Sequence, residues 1–175
     1  MHPAEIQAAL DGMVMIVDTR EQSTAQLRRR VRAFGCPIER KALSSGDYSA
    51  RFPLPDGSWL DLSERVVIER KMSIDELCQC FTRERKRFKR EFERAAASGV
   101  KTYLLIENAT IDQMYAHDYK SLMTPQALIS SLLAWSIRYR LQVVMCRELA
   151  TGRLIRDILY REGKAILERM AEEDE

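Results

Sequence analysis

Val66-Val67-Ile68-Glu69-Arg70-Lys71 decides how this chain is read: three β-branched residues, then an acid, a guanidinium and an amine in succession. The apolar run predicts a buried strand. Side chains alternate along a strand, so Glu69 and Lys71 share one face and Arg70 takes the other. A carboxylate and an ammonium at the end of such a strand lose hydration unless a partner or ligand replaces it. Two readings are open from this stretch alone: charges leaving the core for solvent, or charges gathered for chemistry.

Working outward, Ser73-Ile74-Asp75-Glu76 spells a capping box, with Asp75 in a first helical turn that the helix dipole favours. Upstream, Asp47-Tyr48 follows the turn residues Ser44-Ser45-Gly46 and opens a strand to about Phe52. That strand and the one at Val66 are expected to pair antiparallel, bringing Asp47 within reach of Glu69 and Lys71. Earlier still, Met13 to Val17 reads as a strand whose tip carries Asp18-Thr19-Arg20-Glu21. Ser23 or Thr24 caps a helix that Gly35 stops after Phe34. Arg28, Arg29, Arg30 and Arg32 on that helix read as a solvated face. Pro37 to Leu43 reads as a further strand.

Downstream, residues 83–97 predict a charged helix whose Phe88, Phe92, Ala95 and Ala96 fall on a core stripe. Arg83, Lys86, Arg87, Arg90 and Arg94 line its other side. Between 83 and 94 seven bases face three acids, the largest positive feature of the chain. Glu91 with Arg87, and Glu93 with Lys89, have the i,i+4 spacing of helical ion pairs. Lys101 to Glu107 is a second buried strand, Ile111 to Tyr115 a helical turn, and Thr124-Pro125 a helix start. That helix, to Tyr139, carries Leu128, Leu132 and Trp135, which serve either as core or as the face of a homodimer. Leu141 to Cys146 is another strand, and Leu149 to Met170 a long helix weakened at Gly152 and Gly163. Strands alternating with helices around a central hairpin give an α/β fold with a mixed sheet. Residues 1–12 are expected as a lead-in, 13–170 as one domain and 171–175 as an acidic tail.

Composition narrows the function classes. The net charge is +2, but the last four residues are all acidic, so the rest stands at +6. The first residues lack a signal peptide's basic and apolar regions, and no apolar run approaches a membrane span, so a cytoplasmic, membrane-free protein is expected. Cys36, Cys78, Cys80 and Cys146 lack zinc-ligand spacing, and only two histidines could assist them. Asp18, Asp47, Glu69 and Asp75 stand at strand ends or a helix start without histidine, a donor set suited to Mg²⁺ or Mn²⁺. A metal on Asp47 and Glu69 would lower the pKa of a bound water beside a scissile phosphate. Lys71 could orient that water or neutralise charge growing on the phosphoryl oxygens.

In this context the sequence resembles the XPF family of structure-specific DNA endonucleases. The family's V-D-x-R-E is matched by Val17-Asp18-Thr19-Arg20-Glu21, its G-D-Y/F by Gly46-Asp47-Tyr48, and its V-x-x-E-R-K-x-x-x-D by Val66 through Asp75. The resemblance covers roughly residues 13 to 146. It implies a restriction-endonuclease-like fold and Mg²⁺- or Mn²⁺-dependent hydrolysis of DNA, in branched, flapped or single-strand/double-strand junction substrates, in DNA repair or recombination. It implies metal binding by Asp18, Asp47 and Glu69, and support of catalysis and backbone contacts by Arg70, Lys71, Asp75 and Arg20. Arg83, Lys86, Arg87, Arg90 and Arg94 are the candidate DNA contacts, and paired nuclease domains are a feature of the family. Two departures stand out. The family's Gly-Arg and later Gln are replaced here by Thr82-Arg83 and Arg87, and no helix-hairpin-helix pair follows Cys146. The expectation is a stand-alone nuclease domain of the compact kind associated with phage or mobile elements, nucleoid-associated in the cell. The competing reading is a catalytically silent DNA-binding subunit, in which the acids or the lysine are usually replaced.

Overall fold

β-Branched runs and helical stripes resolve into seven strands and seven helices in the computed structural model, which describes residues 1–173. In chain order they are α1 (Pro3–Asp11), β1 (Val14–Val17), α2 (Ala25–Phe34), β2 (Ile38–Arg40), β3 (Tyr48–Pro53), β4 (Trp59–Asp61) and β5 (Val66–Lys71). Then follow α3 (Ile74–Phe81), α4 (Arg85–Ala97), β6 (Lys101–Glu107), α5 (Ile111–Tyr115), α6 (Pro125–Tyr139), β7 (Gln142–Cys146) and α7 (Glu148–Glu173). The strands form one mixed sheet in the order β2-β1-β3-β5-β6-β7, with β4 paired to β3. The expected α/β class with a mixed sheet flanked by helices is the one found. Of the expected acidic tail, Asp174 and Glu175 lie outside the described residues, and Glu172 and Glu173 belong to α7.

Two compact units divide the chain: Met1–Val67 with Gly152–Glu175, and Ile68–Thr151. In the first, β1 pairs parallel with β2 and antiparallel with β3, and β3 pairs antiparallel with β4. Thr24 caps α2 through its hydroxyl, and Gly35 closes that helix at φ 65°, a conformation that glycine adopts without strain. Trp59 to Asp61 forms the separate short strand β4. The segment 4–11 is helical and starts on a His2–Glu5 capping box.

Gly152 and Gly163 do not weaken α7, which runs unbroken to Glu173. They are points of close approach. A Cβ on Gly152 would stand 2.5 Å from the Arg30 carbonyl oxygen, and one on Gly163 2.3 Å from the Phe52 ring. The helix therefore gives up propensity at two places to pack closely against its own unit. Arg30 also departs from expectation. Arg28, Arg29 and Arg32 are exposed, but Arg30 is buried on the α2 face that carries Leu27 and Phe34.

In the second unit β6 and β7 pair parallel, from Tyr103 opposite Gln142 to Glu107 opposite Cys146. Its core joins Ile74, Leu77 and Phe81 of α3, Phe88 and Phe92 of α4, and Leu128, Leu132 and Trp135 of α6. The Trp135 ring meets Phe81, Phe92 and Tyr139 edge-on at 5.1 to 5.7 Å. Each such aromatic burial contributes about 1.5–3 kcal/mol. Leu128, Leu132 and Trp135 are thus core residues, and the apolar side chains that α6 exposes are Leu133 and Ile137. Ala96, placed on the core stripe from sequence, is exposed, whereas Ala95 is buried. Among the described residues no helix is long and apolar enough to cross a membrane.

Candidate active site

The acids singled out from sequence fall into two sets, one in each unit. In the first unit Asp18 ends the apolar run of β1 and is almost wholly buried. Its carboxylate accepts from the Arg20 backbone N–H at 2.7 Å, Arg20 Nε at 2.7 Å, Arg20 Nη2 at 3.2 Å and the Leu43 backbone N–H at 2.7 Å. Burial pushes this carboxyl up, but the Arg20 side chain and the Leu43 and Arg20 N–H groups outweigh it and hold the pKa below the usual 3.8. A carboxylate has about four acceptor sites, and these four bonds occupy them. Asp18, expected as a metal ligand, is occupied here in fixing Arg20 and the segment at Leu43. Arg20 also donates from Nη2 to the Leu43 carbonyl at 3.3 Å.

Asp47 is half-buried just before β3, and its backbone carbonyl accepts from the Asp18 N–H at 2.9 Å. Gly46 before it takes φ 73°, a left-handed conformation that glycine adopts without strain, and the turn so formed leads into Asp47. Tyr48 next to it is fully buried. Its hydroxyl donates to Glu21 Oε2 at 2.5 Å and accepts from Arg30 Nη1 at 2.8 Å. Two letters of the sequence motifs, Glu21 and Tyr48, thereby form a buried polar cluster with α2. Sequence reasoning missed Arg30 because it stood in an arginine run. Its spacing of three from Leu27 and four from Phe34 was the available signal.

In the second unit Glu69 and Lys71 share a face of β5, as alternation requires. Lys71 Nζ donates to Glu69 Oε1 at 2.5 Å, with the two side chains only 5% and 11% exposed. The ammonium also lies 4.1 Å from the centre of the Phe88 ring. This pair is not a solvated strand end. Arg70, on the other face, donates from Nη1 to Glu107 Oε2 at 3.1 Å, a largely buried ion pair between β5 and β6. The structure therefore separates Arg70 from Glu69 and Lys71 by the thickness of the strand.

Ser73 caps α3 through its hydroxyl, while Glu76 reaches past it and accepts from the Met72 N–H at 2.7 Å. Asp75 does more than meet the helix dipole. Its Oδ1 accepts from the backbone N–H groups of Lys120 at 2.9 Å and Ser121 at 2.7 Å. Lys86, Arg87, Arg90 and Arg94 on α4 are all exposed, as is Arg83, which lies in the turn before the helix rather than on it, and a groove on α4 is lined by Arg87, Arg90, Glu91, Glu93 and Arg94. Arg87 pairs with Glu84 at 3.4 Å, and Lys89 pairs with Glu93 at 3.6 Å as its spacing suggested. Burial pushes the Cys80 thiol up to about 12, so it is no thiolate nucleophile. Among the described residues no three His, Cys, Asp or Glu side chains form a group able to hold a metal ion.

The ERCC4 domain model matches residues 17–156, and the chain belongs to that family. Its fold is similar to that of XPF from Aeropyrum pernix, with TM-score 0.61 and 18% identity over 85% of this chain and 61% of that one. It is similar also to XPF from Aeropyrum pernix in complex with DNA, with TM-score 0.61 and 17% identity over 87% and 65% of the two chains. This chain thus spans less than two thirds of those proteins. No match was found among curated proteins.

Proposed function

We propose that the chain is a metal-dependent endonuclease that hydrolyses phosphodiester bonds in DNA, at branched, flapped or single-strand/double-strand junctions. The observation that supports this reading most is the buried Lys71–Glu69 pair at the end of β5, inside the ERCC4 domain match. Burying two charges is costly, and stability alone gives little reason to keep them. A nuclease does.

The donor chemistry of Asp47 and Glu69 suits a hard cation, since both offer oxygen and neither neighbours a histidine ligand. Mg²⁺ commonly keeps several waters and is held by one or two carboxylates plus substrate phosphates, so two acids suffice. When bound there, Mg²⁺ or Mn²⁺ would supply a bound water of lowered pKa and neutralise phosphate charge. Lys71 neutralises charge that develops on the phosphoryl oxygens or orients the attacking water. Asp18 holds Arg20 in place for backbone contact, and Asp75 supports the adjoining loop. Arg83, in the turn before α4, and Lys86, Arg87, Arg90 and Arg94 along it meet phosphates. Pairing of two copies through Leu133 and Ile137 of α6 belongs to the same proposal, and sedimentation of the Ile137→Asp variant as a monomer would support it.

Labelled flap, fork, four-way-junction and linear duplex DNA, incubated with the protein and Mg²⁺ or Mn²⁺, test the reading. Cleavage of branched substrates that chelation stops and Asp47→Asn abolishes is the expected result. Binding of branched DNA without cleavage under either metal would instead favour the silent DNA-binding subunit.

A further inference from the structure

We propose that Arg30, buried on α2 and outside the sequence motifs, is a positioning residue for Asp47 that acts through Tyr48 and Glu21. The inference rests on the metal-dependent reading above and names what holds one of the proposed ligands in place.

The buried face of α2 carries Leu27, Arg30 and Phe34, and Arg30 is only 5% exposed there. An aliphatic side chain would suit that stripe without a charge to desolvate. Replacing a buried ion pair by apolar groups is often neutral or stabilising, so stability alone gives little reason for a guanidinium at this place. Arg30 Nη1 donates to Tyr48 Oη at 2.8 Å and stands 3.6 Å from Glu21 Oε2. A phenol has one hydrogen to give, and Tyr48 gives it to that same Glu21 oxygen at 2.5 Å. The three side chains thus close a triangle of polar contacts.

Each corner of the triangle adjoins something the proposed chemistry uses. Tyr48 follows Asp47 directly, and Glu21 follows Arg20. Tyr48 is opposite Val17 in the β1–β3 register, and its ring meets Phe34 edge-on at 6.0 Å. It is therefore held at both ring and hydroxyl, and Asp47 inherits that fixity from one side. From the other, the Asp47 carbonyl accepts from the Asp18 N–H at 2.9 Å. Arg40 steadies the Asp18–Glu21 turn from β2, with Nη2 donating to the Thr19 and Glu21 carbonyls at 3.1 and 2.6 Å. Arg30 joins that turn and the start of β3 to α2 at once. The helix itself cannot slide, because the Arg30 carbonyl lies where a Cβ on Gly152 of α7 would collide with it, at 2.5 Å. Mg²⁺ demands near-octahedral oxygen geometry, so where a ligand stands matters as much as its charge. Partners that act on a metal site through its ligands change affinity or activity by about 10- to 100-fold when removed.

The test measures Mn²⁺ binding to the whole chain without DNA, from the loss of the free ion's electron paramagnetic resonance signal. Beside it stand the urea midpoint and the Mg²⁺ dependence of fork cleavage. Tyr48→Phe removes only the hydroxyl, Arg30→Met removes the cation and Arg30→Lys keeps it. Tyr48→Phe and Arg30→Met should bind Mn²⁺ about tenfold more weakly, and Arg30→Lys should fall between Arg30→Met and wild type. The Mg²⁺ concentration for half-maximal cleavage should rise alike, with the rate at saturating Mg²⁺ within about threefold of wild type. A lowered urea midpoint with wild-type Mn²⁺ affinity would assign the triangle to stability alone and overturn the proposal. Should Arg30→Met fail to fold, Tyr48→Phe decides by the same measure. Wild-type metal response in the variants of an active enzyme overturns this inference only. A wild type that neither binds Mn²⁺ nor cuts DNA overturns the metal-dependent reading as well.

Discussion

Lys71 Nζ sits 2.5 Å from Glu69 Oε1 on one face of β5, and neither side chain has much access to water. Breaking a buried pair by removing one partner strands the other charge and costs about 3–5 kcal/mol. Lys71→Met should therefore lose about that much stability in urea, and lose single-turnover cleavage by about 10²-fold or more if Lys71 acts on developing charge. The double variant Glu69→Leu/Lys71→Met should recover most of the stability and none of the activity. If Lys71→Met is as stable as wild type, the pair is not a coupled buried one.

Asp18 makes a different claim, one about pH. Its folded pKa lies below the usual 3.8, so its contribution is fully present above that value and lost as pH falls through the lowered one. Asp18→Asn should cost about 1–2 kcal/mol near neutrality, at the low end for bonds to a charged group because the Arg20 side chain is 62% exposed. The gap between wild type and variant should shrink as pH drops below about 4, near the ordinary carboxylate pKa. A gap that stays constant from pH 7 to pH 2 would show that Asp18 is not titrating.

The exposed arginines of α4 and of the turn before it are open to a salt titration. Replacing Arg83, Arg87 and Arg90 by Ala should weaken DNA binding and flatten the slope of log K against log salt by up to about 3, at roughly 0.9 per lost duplex contact. The Arg87–Glu84 pair makes Arg87 the smallest contributor of the three. An unchanged slope and affinity would leave the face as solvated, internally paired charge.

Gly152 and Gly163 invert the usual helix rule. Glycine to alanine inside a helix normally gains up to about 1 kcal/mol. Here the added Cβ would meet a backbone oxygen at 2.5 Å or a phenyl ring at 2.3 Å. Overpacking of that kind costs about 1–3 kcal/mol, so both variants should melt earlier than wild type. Gly152→Ala should suffer more, since the Arg30 carbonyl belongs to a helix backbone and cannot rotate aside.

These glycines mark one limit of what the sequence makes legible. Propensity registers their local cost, but the approach of a helix to Phe52 or Arg30 is a tertiary fact. The strand ends were legible, because β-branched runs followed by charge leave few other readings, and the spacing placed Glu69 and Lys71 on one face correctly. Alternation also turned Arg70 away, yet could not name Glu107, 37 residues on, as its partner. The role of Asp18 was hidden for a related reason. Three of its four bonds come from Arg20 close by, but the one that completes the set comes from the backbone of Leu43, where no side-chain type announces it.

Asp75 offers the sharpest separation of a positioning role from a catalytic one. Its dipole-favoured place in α3 explained it locally, while its Oδ1 holds the N–H groups of Lys120 and Ser121, 45 and 46 residues away. An asparagine keeps an acceptor oxygen at that position but loses the charge; an alanine loses both. If Asp75 acts by holding the loop, Asp75→Asn should keep most of its cleavage rate, and Asp75→Ala should fall at least tenfold. Amide hydrogen exchange gives a readout apart from activity: the Lys120 and Ser121 amides should exchange about tenfold faster or more in Asp75→Ala, corresponding to the ~1.4 kcal/mol at the low end for bonds to a charged acceptor. In Asp75→Asn they should stay close to wild type. If Asp75→Asn were inactive while those two amides kept their protection, the charge itself would be needed for the reaction, and the loop would not be what Asp75 serves.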